Sequence, residues 1–284
     1  MISASAQAPS STIRRGVRRA LDGLRVTAHA YDVRARLGYA LDHDTCRRNA
    51  GFKDAGAPDR LPLPPPQLVY SVAGHFDVQR YYESGVYHAA LLKEILASHA
   101  RSIREFRSML DFGCGCGRVT RQWHNLSSTE VVGTDYNARL IEWCRRALPF
   151  AHFSTNGLEP PLDYPSAQFD FIYAISVFTH LTADLQVPWV RELERVLRPG
   201  GVLIATTKGR SRLEALDDEE RRRFDRGELV VREGRYAGRN LCAAFHPEEY
   251  LRTTFARDLR ILDFIPASGE RGVSQDFLVL QRPA

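Results

Sequence analysis

The spacing of apolar residues along the chain changes near residue 105. Before it, apolar positions recur at helical spacing in residues 13–48 and again in QRYYESGVYHAALLKEILASHA, residues 79–100. Between these two stretches, residues 49–66 are rich in proline, so no helix is expected there. Beyond residue 105, short apolar runs alternate with helical patterns. The pattern predicts a helical N-terminal extension followed by an α/β core.

Five apolar runs in the core are the size of strands. The longest, FDFIYAISVF (169–178), is apolar throughout, which is typical of a central strand buried on both faces. A helix is expected directly after the first run, through about Leu126. Alternating strands and helices predict a parallel sheet with right-handed crossovers. The predicted strands are 107–112, 129–136, 152–155, 169–178 and 202–207.

The last third of the chain has a different order of elements. Residues 211–226 predict a highly charged helix, and residues 228–245 a short β excursion. A further helix, HPEEYLRTTFA, precedes two strands, LRILDFIPA (259–267) and QDFLVLQRP (275–283). The turn between these strands is too short for a parallel crossover, so we expect them to be antiparallel neighbours.

Charge is concentrated at the N-terminal end. The net charge is +5, and residues 1–36 carry seven arginines against two aspartates, which leaves a neutral body. No broad phosphate-binding face is expected, so a nucleic-acid partner is not predicted. The arm has the composition either of a mitochondrial transit peptide or of a surface helix in an arginine-rich bacterial protein. No apolar run approaches the roughly 18 residues that span a bilayer, so no membrane partner is expected. The five cysteines, an odd number, favour a reduced, cytoplasmic protein.

The stretch LDFGCGCGR, residues 110–118, interleaves glycines with cysteines. Glycines at a strand-to-helix turn let backbone N–H groups approach an anionic ligand. A dinucleotide-binding fingerprint would need glycine where Arg118 stands, so that motif is excluded. Cys114 and Cys116 have no further ligands at zinc-like spacing, so no metal site is predicted and the cysteines are interpreted as small buried residues.

The pattern Asp111-x-Gly113-x-Gly115-x-Gly117, with Asp135 ending the next strand, resembles the first motif of the class I S-adenosylmethionine-dependent methyltransferases. The resemblance extends over about residues 105–284 and includes the RVLRPGG turn and the reversed last strand. It implies a Rossmann-like, doubly wound, mostly parallel seven-stranded sheet with an antiparallel last strand. The implied domains are 1–66 (basic arm and linker), 67–105 (helical lid segment) and 106–284 (core, with an insert at 210–245).

The resemblance also implies S-adenosylmethionine as the cofactor and a role for each matching position. The glycines would pass beneath the methionyl and ribose groups, Asp111 would orient the amino group, and Asp135 would accept both ribose hydroxyls. Three readings stay open: Asp111 as a turn cap, Asp135 as part of a helix N-cap with Asn137, and Asn156 as a turn residue. The implied cofactor residues are Asp111, Gly113, Gly115, Gly117, Asp135, Tyr136, Asn156, Ala174 and Ile175.

Methyl transfer from a sulfonium is an in-line displacement, so the protein must mainly align the reactants. A general base is needed only for a poor nucleophile such as a hydroxyl. His180 is the first candidate base, and His246 the second if the 228–245 excursion folds over the site; both histidines also suit helix starts. The remaining acceptor-site and lid candidates, the tyrosines of which also suit a core, are Tyr70, Tyr81, Tyr82, Ser176 and Thr179.

The predicted function is methyl transfer to a small molecule, with an oxygen of a sugar or natural product as the expected acceptor. Two alternatives stay open: an RNA or protein methyltransferase that uses the basic arm, and an S-adenosylmethionine-binding scaffold without turnover. AISV, residues 174–177, stands where adenine and glutamine N-methyltransferases carry an NPPY-like tetrapeptide, which argues against those substrates. Nothing in the sequence indicates an oligomeric state.

Overall fold

A seven-stranded sheet forms the centre of the described chain, residues 38–238, 241–267 and 275–284 of a computed structural model. Its strand order is β3-β2-β1-β4-β5-β9-β8. Strands β1 to β5 pair in parallel, and β9 lies antiparallel to both of its neighbours. The predicted Rossmann-like fold and the antiparallel final pair are confirmed. The strands are β1 Ser108–Phe112, β2 Glu130–Asp135, β3 His152–Thr155, β4 Phe169–Ala174, β5 Leu197–Thr207, β8 Arg260–Ile265 and β9 Asp276–Gln281.

Helices flank this sheet, and a small antiparallel pair, β6 (Val230–Arg232) with β7 (Ala243–Phe245), forms the predicted β excursion. Short 3₁₀ turns join several elements; two of them, Thr120–Trp123 and Phe178–His180, follow β1 and β4 respectively. The helices are α1 His43–Ala55, α2 Pro66–Ala73, α3 Val78–Ser98, α4 Ala138–Ala147, α5 Ala183–Val196, α6 Asp218–Asp225 and α7 Glu248–Tyr250, the last continuing as a π-helix over Leu251–Phe255.

The central strand β4 is buried on both faces, as its apolar run predicts. Because side chains alternate across a strand, Ile172 packs with Trp189 of α5 on one face, and Phe171 packs with Trp123 on the other. The strand ends at Ala174, four residues earlier than predicted. Ser176 has φ = 62°, which turns the chain into the 3₁₀ turn after β4.

Two predicted helices differ in the structure. The helix expected through Leu126 is only the 3₁₀ turn Thr120–Trp123, in keeping with the low helix propensity of the adjoining Val119 and of Thr120. The charged helix 211–226 is divided into a 3₁₀ turn and α6, because Asp217 caps a new helix start.

Helix α1 was not expected to enter the proline-rich segment, yet it continues to Ala55 before Gly56 ends it. It begins at His43, whose N-cap is Asp42. Most of the predicted helix 13–48 lies outside the described residues. The remainder of the linker runs along the core towards α2.

A buried ion pair fastens this linker to the core. Arg121 Nε and Nη2 donate to the two carboxylate oxygens of Asp59 at 2.7 and 2.8 Å, and the two side chains are only 2% and 3% exposed. The guanidinium also donates to the Pro62 and Leu61 carbonyls and lies over the Tyr82 ring. The segment before the core is therefore tied to the residues that follow the glycine loop. Among the helices of the described chain, none has the length and apolarity needed to cross a membrane.

Candidate functional site

The glycine loop connects β1 to the 3₁₀ turn at the carboxyl edge of the sheet. Gly115 and Gly117 have φ angles of 58° and 79°, values that side-chain-bearing residues rarely adopt. A Cβ on Gly115 would lie 2.9 Å from Val72 of α2, and one on Gly117 would lie 2.4 Å from Leu148. The loop is thus packed between the N-terminal extension on one side and the core on the other.

Asp135, the last residue of β2, holds the loop in place. Its carboxylate accepts the Gly115 N–H at 2.9 Å and the Asn137 N–H at 2.8 Å. Burial raises the pKa of Asp135, whereas these two hydrogen bonds lower it. Each carboxylate oxygen keeps a second lone pair for a further donor. The side chain that caps α4 is that of Asn137, which accepts the Arg139 N–H.

A cleft opens beside the loop, at the ends of β1, β2 and β4. It brings together five of the predicted site residues, which come from separate parts of the sequence. The lining combines apolar side chains with the Asp135 carboxylate. The lining residues are Phe112, Gly113, Asp135, Tyr136, Asn156, Gly157, Leu158, Val177, His180, Leu181, Trp189 and Gly238.

Comparison with known proteins identifies the domain around this cleft. A family described as "Methyltransferase domain" matches residues 110–205, which include the glycine loop, Asp135 and most of the cleft lining. This chain carries a class I S-adenosylmethionine-dependent methyltransferase domain.

Individual relatives share this domain and differ in what they methylate. The chain is 35% identical over 111 residues to a malonyl-[acyl-carrier protein] O-methyltransferase of Enterobacter lignolyticus, covering 37% of this chain and 40% of the relative. It is 32% identical over 121 residues to a sterol 24-C-methyltransferase of Aspergillus fumigatus, covering 41% and 32%. It is 30% identical over 142 residues to a ribosomal protein L11 methyltransferase of Pseudomonas paraeruginosa, covering 47% and 45%. The chain thus matches less than half the length of each of these relatives.

The cleft of the methyltransferase domain contains groups that can bind the adenosine part of S-adenosylmethionine. A ribose requires a hydrogen-bond acceptor and an adenine an apolar slot; the cleft lining includes both the Asp135 carboxylate and the apolar side chains of Phe112, Leu158 and Trp189. Asn156 also lines the cleft; its carbonyl oxygen accepts the Thr134 hydroxyl at 2.8 Å and its amide donates to the Gly157 carbonyl at 2.6 Å. These hydrogen bonds fix the orientation of the Asn156 side chain, and the one to Gly157 agrees with the alternative of a turn residue.

Other predicted cofactor residues lie behind the cleft. Asp111 is buried beneath the loop, where its carboxylate accepts the Thr120 hydroxyl at 2.6 Å and a bond from Tyr173. Burial raises the pKa of Asp111 to about 6. Ala174 and Ile175 are buried at the end of β4 and, like Gly115 and Gly117, do not line the cleft.

The cysteines of the loop are buried, as interpreted from the sequence. Cys114 lies behind the loop together with Cys144, and Cys116 Sγ is 2.9 Å from the Tyr81 hydroxyl. Burial raises the pKa of Cys116 to about 12 and that of Cys114 above its usual range. Both thiols therefore stay protonated at neutral pH.

His180 lies at the boundary between the cleft and the insert. Its Nδ1 is 2.6 Å from the Cys242 carbonyl oxygen, which can only accept, so Nδ1 carries the proton and Nε2 is the acceptor. The His180 carbonyl accepts the Gly238 N–H at 2.7 Å, and Gly238 in turn lies against Tyr136. The insert therefore folds over the site. Burial, reinforced by the nearby Lys208 charge, lowers the pKa of His180 to about 4.

His246 does not reach the cleft. It is 1% exposed; its backbone N–H donates to the Lys208 carbonyl, and its Nε2 pairs with Gln186 Oε1 at 3.2 Å. Gln186 is oriented because its amide nitrogen donates to the Phe178 and Leu181 carbonyls. This placement leaves His180 as the candidate base.

The remaining candidates are also outside the lining. The Ser176 hydroxyl donates to Gln275, and Thr179 is fully buried. Tyr81 and Tyr82 are buried beside α2 and the linker, while Tyr70 stacks on Phe76 at 4.4 Å. Tyr81, through Cys116, and Tyr82, through Arg121, thus connect the N-terminal extension to the domain, whereas the Tyr70 stack lies within the extension.

Sequence reasoning missed several cleft residues. Leu158, Trp189 and Gly238 lie in a loop, a helix and the insert, where no motif marks them. Phe112 and Val177 lie next to predicted residues, and the alternation of side chains along β1 was the available signal for Phe112.

Proposed function

We propose that this protein transfers the methyl group of S-adenosylmethionine to a small-molecule acceptor, at an oxygen atom. The observation that supports this most directly is the Asp135 carboxylate, which is held by the glycine loop and faces a cleft within the matched methyltransferase domain.

In this proposal the cleft binds the adenosine part of the cofactor. Asp135 accepts the ribose hydroxyls, Tyr136 and Asn156 contact the adenine, and Gly113 lies beneath the ribose. Ala174, Ile175 and the remaining loop glycines support the methionyl group through their backbone. Asp111 acts from behind the loop by fixing its shape through Thr120.

The bound cofactor supplies an electrophilic methyl group, and the protein's task is to orient the acceptor and to take up its proton. His180 suits the second task because its Nε2 is an unprotonated acceptor at the edge of the cleft. With a pKa of about 4, the ring is neutral at pH 7, which is the state that accepts a hydroxyl proton. The insert that binds His180 closes the acceptor side.

The first test is calorimetric titration of the intact protein with S-adenosylmethionine and S-adenosylhomocysteine. Asp135→Ala is expected to weaken binding by roughly tenfold to a hundredfold, because the lost bonds go to a charged acceptor. Asp163→Ala is the matched control, since Asp163 is an exposed aspartate outside the cleft lining. Equal affinity in both variants would contradict the assignment of Asp135.

Turnover is tested separately with an acceptor panel of sugars, phenols, carboxylic acids, RNA and protein. Macromolecular acceptors belong in the panel because a relative is a ribosomal protein methyltransferase and residues 1–36 carry seven arginines. Transfer only to small molecules supports the proposal. Cofactor binding without transfer to any of them would favour a binding scaffold.

A further inference from the structure

Lys208 follows directly after β5, at the same edge of the sheet as the cleft. Its ammonium lies 5.9 Å from the centre of the Phe245 ring, in the insert. The other two lysines of the chain, Lys53 and Lys93, are exposed, whereas Lys208 is partly buried between the sheet edge and the insert.

Within the described chain, Lys208 has no acidic partner. The ionisable groups that act on it are the Cys242 thiol and the like-charged Arg212. Burial lowers the pKa of the ammonium because no anion compensates for its lost hydration. Arg121, the buried cation in the linker contact, is by contrast fully paired with Asp59.

Three buried polar atoms, on residues that adjoin or contact Lys208 or His180, have no hydrogen-bond partner among the described residues. They are the Thr207 hydroxyl, on the preceding residue; His246 Nδ1, on the residue whose N–H donates to the Lys208 carbonyl; and the Thr179 hydroxyl, next to His180. All three side chains are at most 1% exposed. Buried polar groups are normally paired, so unpaired donors and acceptors on residues linked to an uncompensated cation point to a polar ligand.

His180 links this region to the cleft. It lines the cleft, binds the Cys242 carbonyl of the insert, and its pKa is lowered by the Lys208 charge. The insert therefore encloses Lys208 and the candidate base on the same side of the site. Lys208 itself is not among the residues that line the cleft, so its ammonium would act on an acceptor beside His180 from outside that lining.

We propose that Lys208 is the counter-ion for an oxyanion, a carboxylate or a phosphate group, on the methyl acceptor. This inference rests on the proposed function and narrows its substrate class to small anionic molecules. A single compact cation in a neutral body suits one oxyanion rather than a nucleic-acid backbone. Lys208 is a positioning and specificity residue here, and the proposal assigns it no proton transfer.

The test uses ¹⁹F NMR binding measurements on the full chain, with and without S-adenosylhomocysteine. The probes are 4-fluorobenzoate, 4-fluorophenyl phosphate and the neutral 4-fluorobenzamide. One or both anions are expected to bind about tenfold or more tightly than the amide. Lys208→Met is expected to abolish that preference and Lys208→Arg to keep it, while Lys93→Met should behave as the wild type.

The comparison of the two anions identifies which oxyanion is preferred. Equal binding of acid and amide by the wild type, or a preference that persists in Lys208→Met, would overturn the inference. If a variant does not fold, equal binding of the acid and the amide by the wild type still overturns the inference. If calorimetry shows S-adenosylhomocysteine binding but no anion preference exists, only this inference fails; absence of cofactor binding instead refutes the proposed function.

Discussion

Gly117 and Gly74 both have positive φ angles, 79° and 72°, but their surroundings differ. A Cβ on Gly117 would lie 2.4 Å from Leu148 and 3.4 Å from Cys144, whereas one on Gly74 would meet no atom within 4 Å. Alanine at either position incurs the cost of left-handed backbone, about 1–2 kcal/mol. At Gly117, but not at Gly74, the added methyl group would also overpack the core against Leu148, which raises the cost by roughly 1–3 kcal/mol.

We therefore expect Gly117→Ala to lower the free energy of unfolding distinctly more than Gly74→Ala. Urea denaturation of the two variants and the wild type measures the difference. Equal losses would show that backbone strain alone accounts for the need for glycine at position 117. Cofactor titration of the same variants would then show whether a strained loop still binds.

Among individual residues, those that belong to a recognisable motif were predicted from the sequence. The resemblance to the methyltransferase motif implied Gly113, Asp135, Tyr136 and Asn156, and all four line the cleft. His246 was a poor candidate for a reason that no spacing reveals. Its ring contacts Gln186 and the rings of Tyr250 and Phe255, and the contact with Gln186 joins two segments that are distant in the sequence.

Among the elements, the contact between the linker and the glycine loop region depends on one buried ion pair, Arg121 with Asp59. Removing one partner leaves a buried, uncompensated charge, which costs about 3–5 kcal/mol. Asp59→Asn is thus expected to destabilise the protein by that order and to release the linker from the core. The pair Arg47–Asp44 supplies the control, because its side chains are 79% and 74% exposed.

Limited proteolysis and urea denaturation together check this prediction. Asp59→Asn should become sensitive to cleavage within residues 56–65, while Asp44→Asn should change the free energy of unfolding by no more than about 1 kcal/mol. If the two variants behaved alike, the linker would be held by its apolar contacts instead.

The directions of the strands were predictable because they depend on connection length and on apolar runs in neighbouring sequence, whereas the doubly wound arrangement was implied by the resemblance to the methyltransferase family. The linker contact was not predictable, since Asp59 and Arg121 are distant in the sequence and a proline-rich segment gives no sign of its partner. The helix expected after the glycine loop was wrong for a similar reason. Thr120 and Arg121 are engaged with Asp111 and Asp59, which periodicity does not reveal.

For the whole molecule, buried titratable groups make stability depend on pH. Burial lowers the pKa of His88 and His180 to about 4 and that of His246 to about 3. An unfolded histidine titrates near 6.5, so below that pH the unfolded state binds protons that the native state does not. Their contribution to stability is complete above pH 6.5 and is lost as the pH falls towards 4. Asp111, with its pKa raised to about 6, acts in the opposite direction, because its neutral form is favoured in the native state.

We expect the histidines to dominate, so that the urea midpoint falls between pH 7 and pH 5. His246 alone should contribute about 2 kcal/mol over that interval, because its native pKa lies below the interval and its unfolded pKa within it. His246→Gln, which keeps a side-chain donor for Gln186, should therefore show a shallower pH dependence than the wild type. The exposed His152, changed to Gln, provides the control and should leave the slope unchanged. A midpoint that rises on acidification would instead show that Asp111 outweighs the buried histidines, and a slope unaltered in His246→Gln would show that the ring of His246 does not remain neutral in the folded protein.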